Sequence, residues 1–309
     1  MPAHLWLLLS PIAAAHASVA CGRRTEELLP SGASVPQRVK SPLPSLAAVP
    51  ADGVDWRWRN GTAFTTPVGY QLLPSPCGSC WAFASTGALS DRVRIATAGR
   101  VPVSLAPQAL LDCGGKAGSC NGGSATLAYE YATQAPGLPD ETCMPYKGVD
   151  HANWGEVPCA DRLCRRCDRF GTCHFLPRNE TPSVQVEEHG MVTGVAAMKA
   201  EIAARGPIAC YMYAHAPAFE HYAGGVISDT TRYKGITHVV VVVGWGKDAA
   251  NGEYWIVRNS FGTAWGEWGY YRQQVGKNIY NMESHDCAWA TPTRASVDAL
   301  MKRSGLAQQ

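Results

Sequence analysis

The first half of the chain repeats its hydrophobic positions with the period of an α-helix. Residues 81–97 place apolar side chains three or four positions apart, which predicts one helix. Ser104 is a residue type that caps helices, and it predicts a second helix that continues to Leu111. Residues 124–134 indicate a third helix. The first of these helices would begin at Cys80.

The second half differs, because its apolar residues form short β-branched or aromatic runs between glycine-containing turns. The runs at 239–243, 254–257 and 268–272 predict strands. Residues 197–205 predict one helix, which Gly206-Pro207 would end. A helical half followed by a strand-rich half is typical of the α+β class, and an active site is expected in the cleft between the halves.

The two termini are expected to lie outside the main domain. An apolar run at 5–15, followed by small residues, predicts a secretory signal peptide that is too short to span a bilayer. The next thirty or so residues are rich in Pro, Ser and Ala and show no helical period. The expected boundaries are a signal peptide at 1–20, a short propeptide or linker at 21–50, a main domain at 51–290 (helical half about 77–190, β half about 191–290) and a C-terminal tail at 291–309.

The composition says more about the cellular compartment of the protein than about its binding partners. The formal net charge is +2 and no Lys/Arg run is present, so no nucleic-acid partner is expected. No later segment reaches 18 apolar residues, so no membrane span is expected either. Twelve cysteines behind a signal peptide indicate disulfides and the secretory pathway, with a lysosome, a vacuole or the extracellular space as destination. A monomer without a cofactor or metal is expected.

The segment Cys77-Gly78-Ser79-Cys80-Trp81 carries the strongest chemical signal. At a helix N-terminus, the free N–H groups and the helix dipole would stabilise a thiolate on Cys80. His238, beside a predicted strand, would exchange a proton with that sulfur, and Asn259 would fix the orientation of its ring. Gln71 would donate a side-chain N–H to the oxyanion together with the backbone N–H of Cys80. The set predicts hydrolysis of peptide or protein substrates through a thioester.

Four segments resemble the papain family of cysteine peptidases, namely 77–81, 119–123, 238–240 and 259–266. The resemblance covers about residues 52–290 and is greatest to the cathepsin X branch, also called cathepsin Z. It rests there on segments 139–143 and 254–260, on the cysteine cluster at 159–173 and on a long connection between Gln71 and Cys80. The resemblance implies a papain-like two-domain fold, with Cys80 on a helical domain and His238 and Asn259 on a β-barrel-like domain.

The resemblance also implies roles for residues along the cleft. Gly122 and Gly123 would bind the substrate backbone, since glycine permits a close approach. Trp265 would line the primed side. Phe261 stands where the family usually has a tryptophan, and it would shield the hydrogen bond between His238 and its asparagine from water.

Substrate specificity is the point on which this chain departs from the cathepsin X branch. That branch resembles carboxypeptidases that hold the substrate's terminal carboxylate with a His and a Tyr from the segment before the nucleophile. Leu72 and Pro76 stand at those places here, and neither side chain donates a hydrogen bond. A carboxypeptidase is expected, with an endopeptidase or relaxed specificity as the alternative. A second alternative is a non-catalytic relative that binds peptides or cell-surface partners.

The remaining cysteines have readings of their own. By resemblance, Cys21 would bond Cys80 in the zymogen, whereas the alternatives are a Cys21 without a role or with a lipid attached. The cluster at 159–173 could also be read as a zinc site, and Cys77 with Cys80 as a redox dithiol. The pairs that the resemblance implies are Cys77–Cys120, Cys113–Cys159, Cys143–Cys164, Cys167–Cys173 and Cys210–Cys287. Two sequons predict glycosylation at Asn60 and Asn179.

Overall fold

The computed structural model describes residues 21–31, 33–42, 44–134, 136–150 and 159–305. The expected signal peptide at 1–20 lies outside the described residues. The helices are α1 (Thr25–Leu28), α2 (Cys80–Ala96), α3 (Pro107–Cys113), α4 (Ala125–Ala132), α5 (Val195–Arg205), α6 (Pro217–Glu220) and α7 (Arg294–Arg303). The strands are β1 (Val54–Asp55), β2 (Gly118–Ser119), β3 (Gly122–Gly123), β4 (Leu138–Pro139), β5 (Arg165–Cys167), β6 (Cys173–Phe175), β7 (Ser183–Val184), β8 (Val186–Val192), β9 (Ile208–Met212), β10 (Val226–Ile227), β11 (His238–Asp248), β12 (Gly252–Arg258), β13 (Tyr270–Gln274) and β14 (Cys287–Pro292).

Helix α2 is the central element of the helical half. It packs against α3 and α4 on one side and against β11 and β14 of the sheet on the other, so most of its residues from Cys80 to Val93 are buried. Two of its buried hydroxyls are satisfied within the helix, since Ser85 and Ser90 donate to the carbonyls of Trp81 and Thr86. This packing holds Cys80, the first residue of α2, at the boundary between the two halves.

The strand-rich half is one eight-stranded sheet in the order β10-β13-β12-β11-β9-β14-β8, with β1 added on β11. β11 is antiparallel to both β9 and β12, with His238 opposite Met212 and Val241 opposite Arg258. Residues that begin one antiparallel strand lie beside residues that end its neighbour. The register therefore places His238, at the start of β11, next to Asn259, directly after β12.

A buried ion pair joins the two halves behind the site. Arg258 Nη2 donates to Asp91 Oδ2 at 2.9 Å, and both side chains are almost fully buried. Asp91 lies on α2, whereas Arg258 ends β12 immediately before Asn259. Asp91 Oδ1 also accepts from the backbone N–H of Thr66 at 2.7 Å. This network fixes the helix that carries Cys80 against the strand that leads to Asn259.

Both termini of the described chain pack on the domain. The segment before the domain forms α1, and its first residue Cys21 is buried. At the other end, α7 begins with its N-cap Thr293 and packs against β7, which buries Val297 and Leu300. The segments that the sequence describes as a linker and a tail therefore make ordered contacts with the peptidase domain.

Six disulfides are formed, and no cysteine of the described chain is free. They are Cys21–Cys80, Cys77–Cys120, Cys113–Cys159, Cys143–Cys164, Cys167–Cys173 and Cys210–Cys287. The cysteines of the 159–173 cluster thus bond sulfur to sulfur in the structure, rather than presenting thiolates to a zinc ion. None of the helices described is long and apolar enough to cross a membrane.

Candidate active site

The structure brings the predicted nucleophile, histidine and asparagine together. Cys80 Sγ is bonded to Cys21 Sγ at 2.04 Å. His238 Nδ1 lies 3.2 Å from Cys21 Sγ, and Nε2 on the far side of the ring lies 2.8 Å from Asn259 Oδ1. The ring is thus held between a sulfur of the disulfide and the asparagine.

Hydrogen bonds around Asn259 determine the tautomer of His238. The backbone N–H of Ser260 donates to Asn259 Oδ1 at 2.8 Å, so this atom is the amide oxygen and an acceptor. His238 Nε2 must therefore carry the hydrogen of that contact. Nδ1 is left with its lone pair directed at the sulfurs, which is the form in which it can take a proton from a thiol.

Burial makes the His238 ring hard to protonate in this state. Its residue surface is 2% exposed, and Phe261 covers it with ring centroids 5.0 Å apart. Desolvation lowers the pKa of His238 to about 4, the bond to Asn259 opposes this shift, and the nearby charge of His215 adds to it. His238 is consequently neutral at pH 7 while Cys21 is bonded to Cys80. Phe261 occupies the shielding position that the sequence assigns to it.

Gln71 is held by both ends of its amide. Its Oε1 accepts from the Ser260 hydroxyl at 2.7 Å, and its backbone N–H donates to the Ser260 carbonyl at 3.0 Å. Its Nε2 donates to the Cys77 carbonyl at 3.1 Å and lies 3.7 Å from Cys21 Sγ. The amide N–H is thereby directed at the sulfur beside Cys80, next to the first helical turn, whose N–H groups have no partner within the helix.

The N-terminal segment occupies the cleft beside the disulfide. The N–H of Gly123 donates to the Cys21 carbonyl at 3.1 Å, and the N–H of Arg23 donates to the Gly123 carbonyl at 3.0 Å. Gly22 lies against His238, where a Cβ would come within 2.7 Å of the His238 carbonyl oxygen. Gly123 likewise leaves no room for a Cβ beside Trp81. The backbone of Gly123 can therefore pair with an extended chain, while Gly122 precedes it at a positive φ of 101°.

Apolar groups make up the side of the site near Trp265. Trp265 is buried against Phe219 and Phe261, with centroid distances of 5.1 and 5.8 Å.

Leu72 is half-buried, and the next residue, Leu73, is 57% exposed. The loop 72–76 carries no cationic side chain.

Sequence reasoning missed His215, which lies close to His238. The N–H of Ala214 donates to Thr237 Oγ1 at 2.9 Å, so His215 follows a residue bonded to the neighbour of His238. About a third of its side chain is exposed, at 30%, and its Nδ1 is 3.6 Å from Glu220 Oε1. A lone histidine outside any motif gives no signal in the sequence, because its role depends on the fold.

Three ligand atoms that suit a soft metal lie together in the site. The sulfurs of Cys21 and Cys80 and a ring nitrogen of His238 are within 4.8 Å of one another, and all three residues are buried. In the bonded state the sulfurs are shared between the two cysteines, so they are not thiolates. Elsewhere, the predicted glycosylation positions Asn60 and Asn179 are both exposed.

Known proteins match most of the chain. A family model described as papain family cysteine protease matches residues 50–291. Cathepsin Z of Onchocerca volvulus is 40% identical over 250 residues, which are 77% of this chain and 76% of that protein. Cathepsin L of Sarcophaga peregrina is 33% identical over 242 residues, covering 76% of this chain and 62% of that protein.

A solved structure has the same fold. Procathepsin L2 from the larval midgut of Tenebrio molitor superposes with a TM-score of 0.62 at 27% sequence identity, covering 89% of this chain and 76% of that chain. The predicted α+β, papain-like architecture is confirmed by this match together with the sheet and helices described above. The chain belongs to the papain family and is a cysteine peptidase.

Proposed function

We propose that this cysteine peptidase removes residues from the C-terminus of peptides and proteins. The observation that carries the proposal is the loop 72–76, which is inserted between Gln71 and Cys80 beside the nucleophile. The loop contacts the domain, because Gly148 approaches it so closely that a Cβ there would lie 2.5 Å from the Ser75 carbonyl oxygen. A loop at this place would limit how far a substrate extends past the scissile bond. The similarity to a cathepsin Z supports the same reading.

Catalysis would use the four residues that converge on the disulfide. Once Cys80 is a free thiol, His238 Nδ1 takes its proton, and the thiolate attacks the substrate carbonyl carbon. Gln71 Nε2 and the N–H of Cys80 hold the oxyanion. The imidazolium then protonates the leaving amine, and water hydrolyses the thioester with His238 as the base. Asn259 keeps Nδ1 directed at the sulfur throughout.

His215 is our candidate for the group that binds the substrate's terminal carboxylate. Leu72 and Pro76 supply no donor, whereas a protonated imidazole forms a charge-assisted hydrogen bond with a carboxylate. His215 is partly exposed, and the N–H of the preceding residue, Ala214, donates to Thr237, the neighbour of His238. The loop 72–76 would then contribute shape, and His215 would contribute charge.

We call residues 21–50 the leader. The test uses enzyme from which the leader has been removed (leader-free enzyme) and one peptide whose C-terminus is either free or amidated. Mass spectrometry should show stepwise loss of single residues from the free acid only, and no cleavage by Cys80→Ala. The variant His215→Gln should raise KM for the free acid about tenfold, the value of one charge-assisted bond of about 1.4 kcal/mol. The exposed His221 serves as the matched control, because His221→Gln should leave both KM and kcat unchanged.

An endopeptidase is the second candidate, and the apolar character of the loop 72–76 favours it. Leu73, Pro74 and Pro76 are exposed and offer nothing to a carboxylate. In that case both forms of the peptide would be cut internally at similar rates, and His215→Gln would affect neither. Binding without cleavage of either form would indicate the non-catalytic alternative.

We further propose that the Cys21–Cys80 bond locks the enzyme as a zymogen. A thiolate of a reducing dithiol attacks Cys21 Sγ and releases Cys80 as the free nucleophile, and the second thiol closes the reductant's own disulfide and frees Cys21. The locked form should show no hydrolysis until it is reduced. A non-reducing peptide map of the unprocessed protein that lacks a Cys21–Cys80 link would sink this part of the proposal.

The cellular setting that we propose is the secretory pathway, leading to a lysosome or vacuole or out of the cell. Six disulfides need an oxidising compartment to form. Asn60 and Asn179 are exposed and accessible to a glycosyltransferase. We propose that the enzyme acts as a monomer. Loss of a glycan mass in the variants Asn60→Gln and Asn179→Gln, and the sedimentation of the purified enzyme, test these points.

A further inference from the structure

We propose that opening the Cys21–Cys80 bond creates a Zn²⁺ site formed by Cys21, Cys80 and His238, which keeps the reduced precursor inactive. The proposal rests on the zymogen lock described above. It departs from the metal-free expectation of the sequence only for the precursor, because the leader supplies one of the ligands. Three features of the site support it: the leader stays in place, the ligand atoms have the right spacing, and the imidazole presents the right atom.

The leader has anchors that do not depend on the disulfide. The N–H groups of Cys21 and Gly22 donate to the Thr237 carbonyl at 2.9 and 3.2 Å. Two further backbone bonds join Cys21 and Arg23 to Gly123, as described for the cleft. These contacts leave Cys21 beside Cys80 when the S–S bond is broken. Reduction alone therefore produces two thiols that face one imidazole.

A second anchor lies one turn further along the leader. Thr25 Oγ1 and Ser124 Oγ are 2.8 Å apart, and both side chains are buried. Ser124 is the N-cap of α4, so the leader is attached to a rigid element of the helical half. Cys21 itself is 1% exposed, and solvent does not compete with its hydrogen bonds.

The spacing of the three ligands suits a tetrahedral metal. With Zn–S near 2.3 Å and Zn–N near 2.1 Å, tetrahedral geometry needs about 3.8 Å between the sulfurs and about 3.6 Å between sulfur and nitrogen. The Cys21 Sγ–His238 Nδ1 distance is already 3.2 Å. The sulfurs must move apart once their bond is broken, which rotation about the side-chain bonds can supply because the Cα atoms are 5.7 Å apart. The fourth position is left for water.

Asn259 orients the imidazole of His238 in the way that a metal ligand requires. Histidines that bind metals donate their other ring N–H to an oxygen of the protein, which fixes the tautomer. His238 Nε2–H donates to Asn259 Oδ1, so the lone pair of Nδ1 points toward the sulfurs. Two thiolates and one neutral imidazole neutralise Zn²⁺, so no net charge is buried in this closed site.

The steps balance without a further reactant. A dithiol donates two electrons to the Cys21–Cys80 bond and becomes a cyclic disulfide, which leaves two protein thiols. Zn²⁺ then displaces one proton from each thiol and binds both sulfurs. Cys80 Sγ is no longer a nucleophile in this state, and removal of the metal by a chelator restores it. Release of Cys80 as a nucleophile thus requires two events, reduction of the disulfide and loss of zinc.

The experiment uses Co²⁺ as a visible substitute for Zn²⁺ in the full precursor. The background variant Cys167→Ser/Cys173→Ser removes the exposed hairpin disulfide that would otherwise provide a rival dithiol. The protein is reduced with a dithiol until peptide mapping shows the Cys21–Cys80 bond open, and it is then freed of reductant. We expect one Co²⁺ per chain, with thiolate-to-cobalt charge transfer and the d–d bands of a tetrahedral site, both abolished by Zn²⁺.

Two variants and one truncation make the result decisive. Cys21→Ser should halve the charge-transfer intensity and weaken Co²⁺ binding at least about 100-fold, and Asn259→Ala should weaken it about 10- to 100-fold. Leader-free enzyme should not show the two-thiolate spectrum. Absence of tetrahedral Co²⁺ from the reduced precursor, or binding that Cys21→Ser leaves unchanged, would overturn the proposal. Peptide hydrolysis by the leader-free enzyme is measured separately, so that a failure of the metal site is distinguished from a failure of the peptidase or of the lock.

Discussion

Acid should destabilise the locked precursor through one histidine. His238 is buried under Phe261 beside the Cys21–Cys80 bond, and desolvation lowers its pKa from the usual 6.5 to about 4. Lowering this pKa from 6.5 to about 4 corresponds to about 3 kcal/mol, since each tenfold change in proton affinity is worth about 1.4 kcal/mol. This is a large share of the stability of a typical domain, which is about 5–15 kcal/mol.

The direction of this pH dependence follows from which state, folded or unfolded, binds the proton more strongly. In the unfolded chain His238 has an ordinary pKa near 6.5, whereas in the fold it is about 4. Between these values the unfolded state binds more protons, so unfolding becomes easier as the pH falls. The contribution is complete above about pH 6.5 and is lost as the pH falls to about 4.

The assay compares urea unfolding of the locked precursor at pH 7 and pH 4 with that of His238→Gln. Other carboxylates and histidines titrate in both proteins, so the difference between the two pH responses isolates His238. We expect the wild type to lose about 3 kcal/mol more than the variant over this interval. Equal losses in the two proteins would refute the reasoning. An imidazole NMR titration should independently show the pKa of His238 near 4 in the locked precursor and higher in leader-free enzyme.

Three further predictions concern positioning, catalysis and the roles of the two neighbouring cysteines. Asp91→Asn should cost about 3–5 kcal/mol in thermal unfolding, because Arg258 stays buried without its partner, and Asp91→Leu/Arg258→Met should recover most of the loss. Gln71→Ala should lower kcat about 10²- to 10³-fold in a peptide assay with little change in KM, since it removes one oxyanion donor. Cys77→Ala should lose about 2–4 kcal/mol of stability yet still cleave peptides after reduction, whereas a redox dithiol would need Cys77 as much as Cys80.

Local patterns predicted the elements whose stability is local. The periodic run at 81–97 corresponds to α2 at Cys80–Ala96, and the aromatic run at 254–257 lies within β12. The prediction that Ser104 caps a helix was wrong, because α3 begins at Pro107 and its N-cap is Ala106. The backbone of Ser104 instead bonds Glu141 and Asp140, a contact between distant parts of the chain that no local pattern contains.

The residues that meet at the Cys21–Cys80 bond were predictable as candidates, whereas the residues that support them were not. Cys80, His238 and Asn259 each lie in a recognisable motif. The Arg258–Asp91 pair joins residues 167 positions apart, and its importance depends on burial that the sequence does not display. His215 lies in a segment between β9 and α6 that carries no motif, and only the fold places it near His238. The hydrophobic periodicity of the sequence could not predict that the leader docks in the cleft. Backbone hydrogen bonds hold the leader there, and they leave no repeating pattern of apolar residues.

The central claim is that Cys80 is the nucleophile of a peptidase whose proton carrier is His238. Its most direct test is peptide hydrolysis by leader-free, reduced enzyme, followed by mass spectrometry before and after stoichiometric alkylation. The account predicts that alkylation modifies Cys80, that hydrolysis stops in proportion, and that Cys80→Ala neither reacts at this site nor cleaves the peptide. Hydrolysis that continues at the wild-type rate in Cys80→Ala would contradict the account.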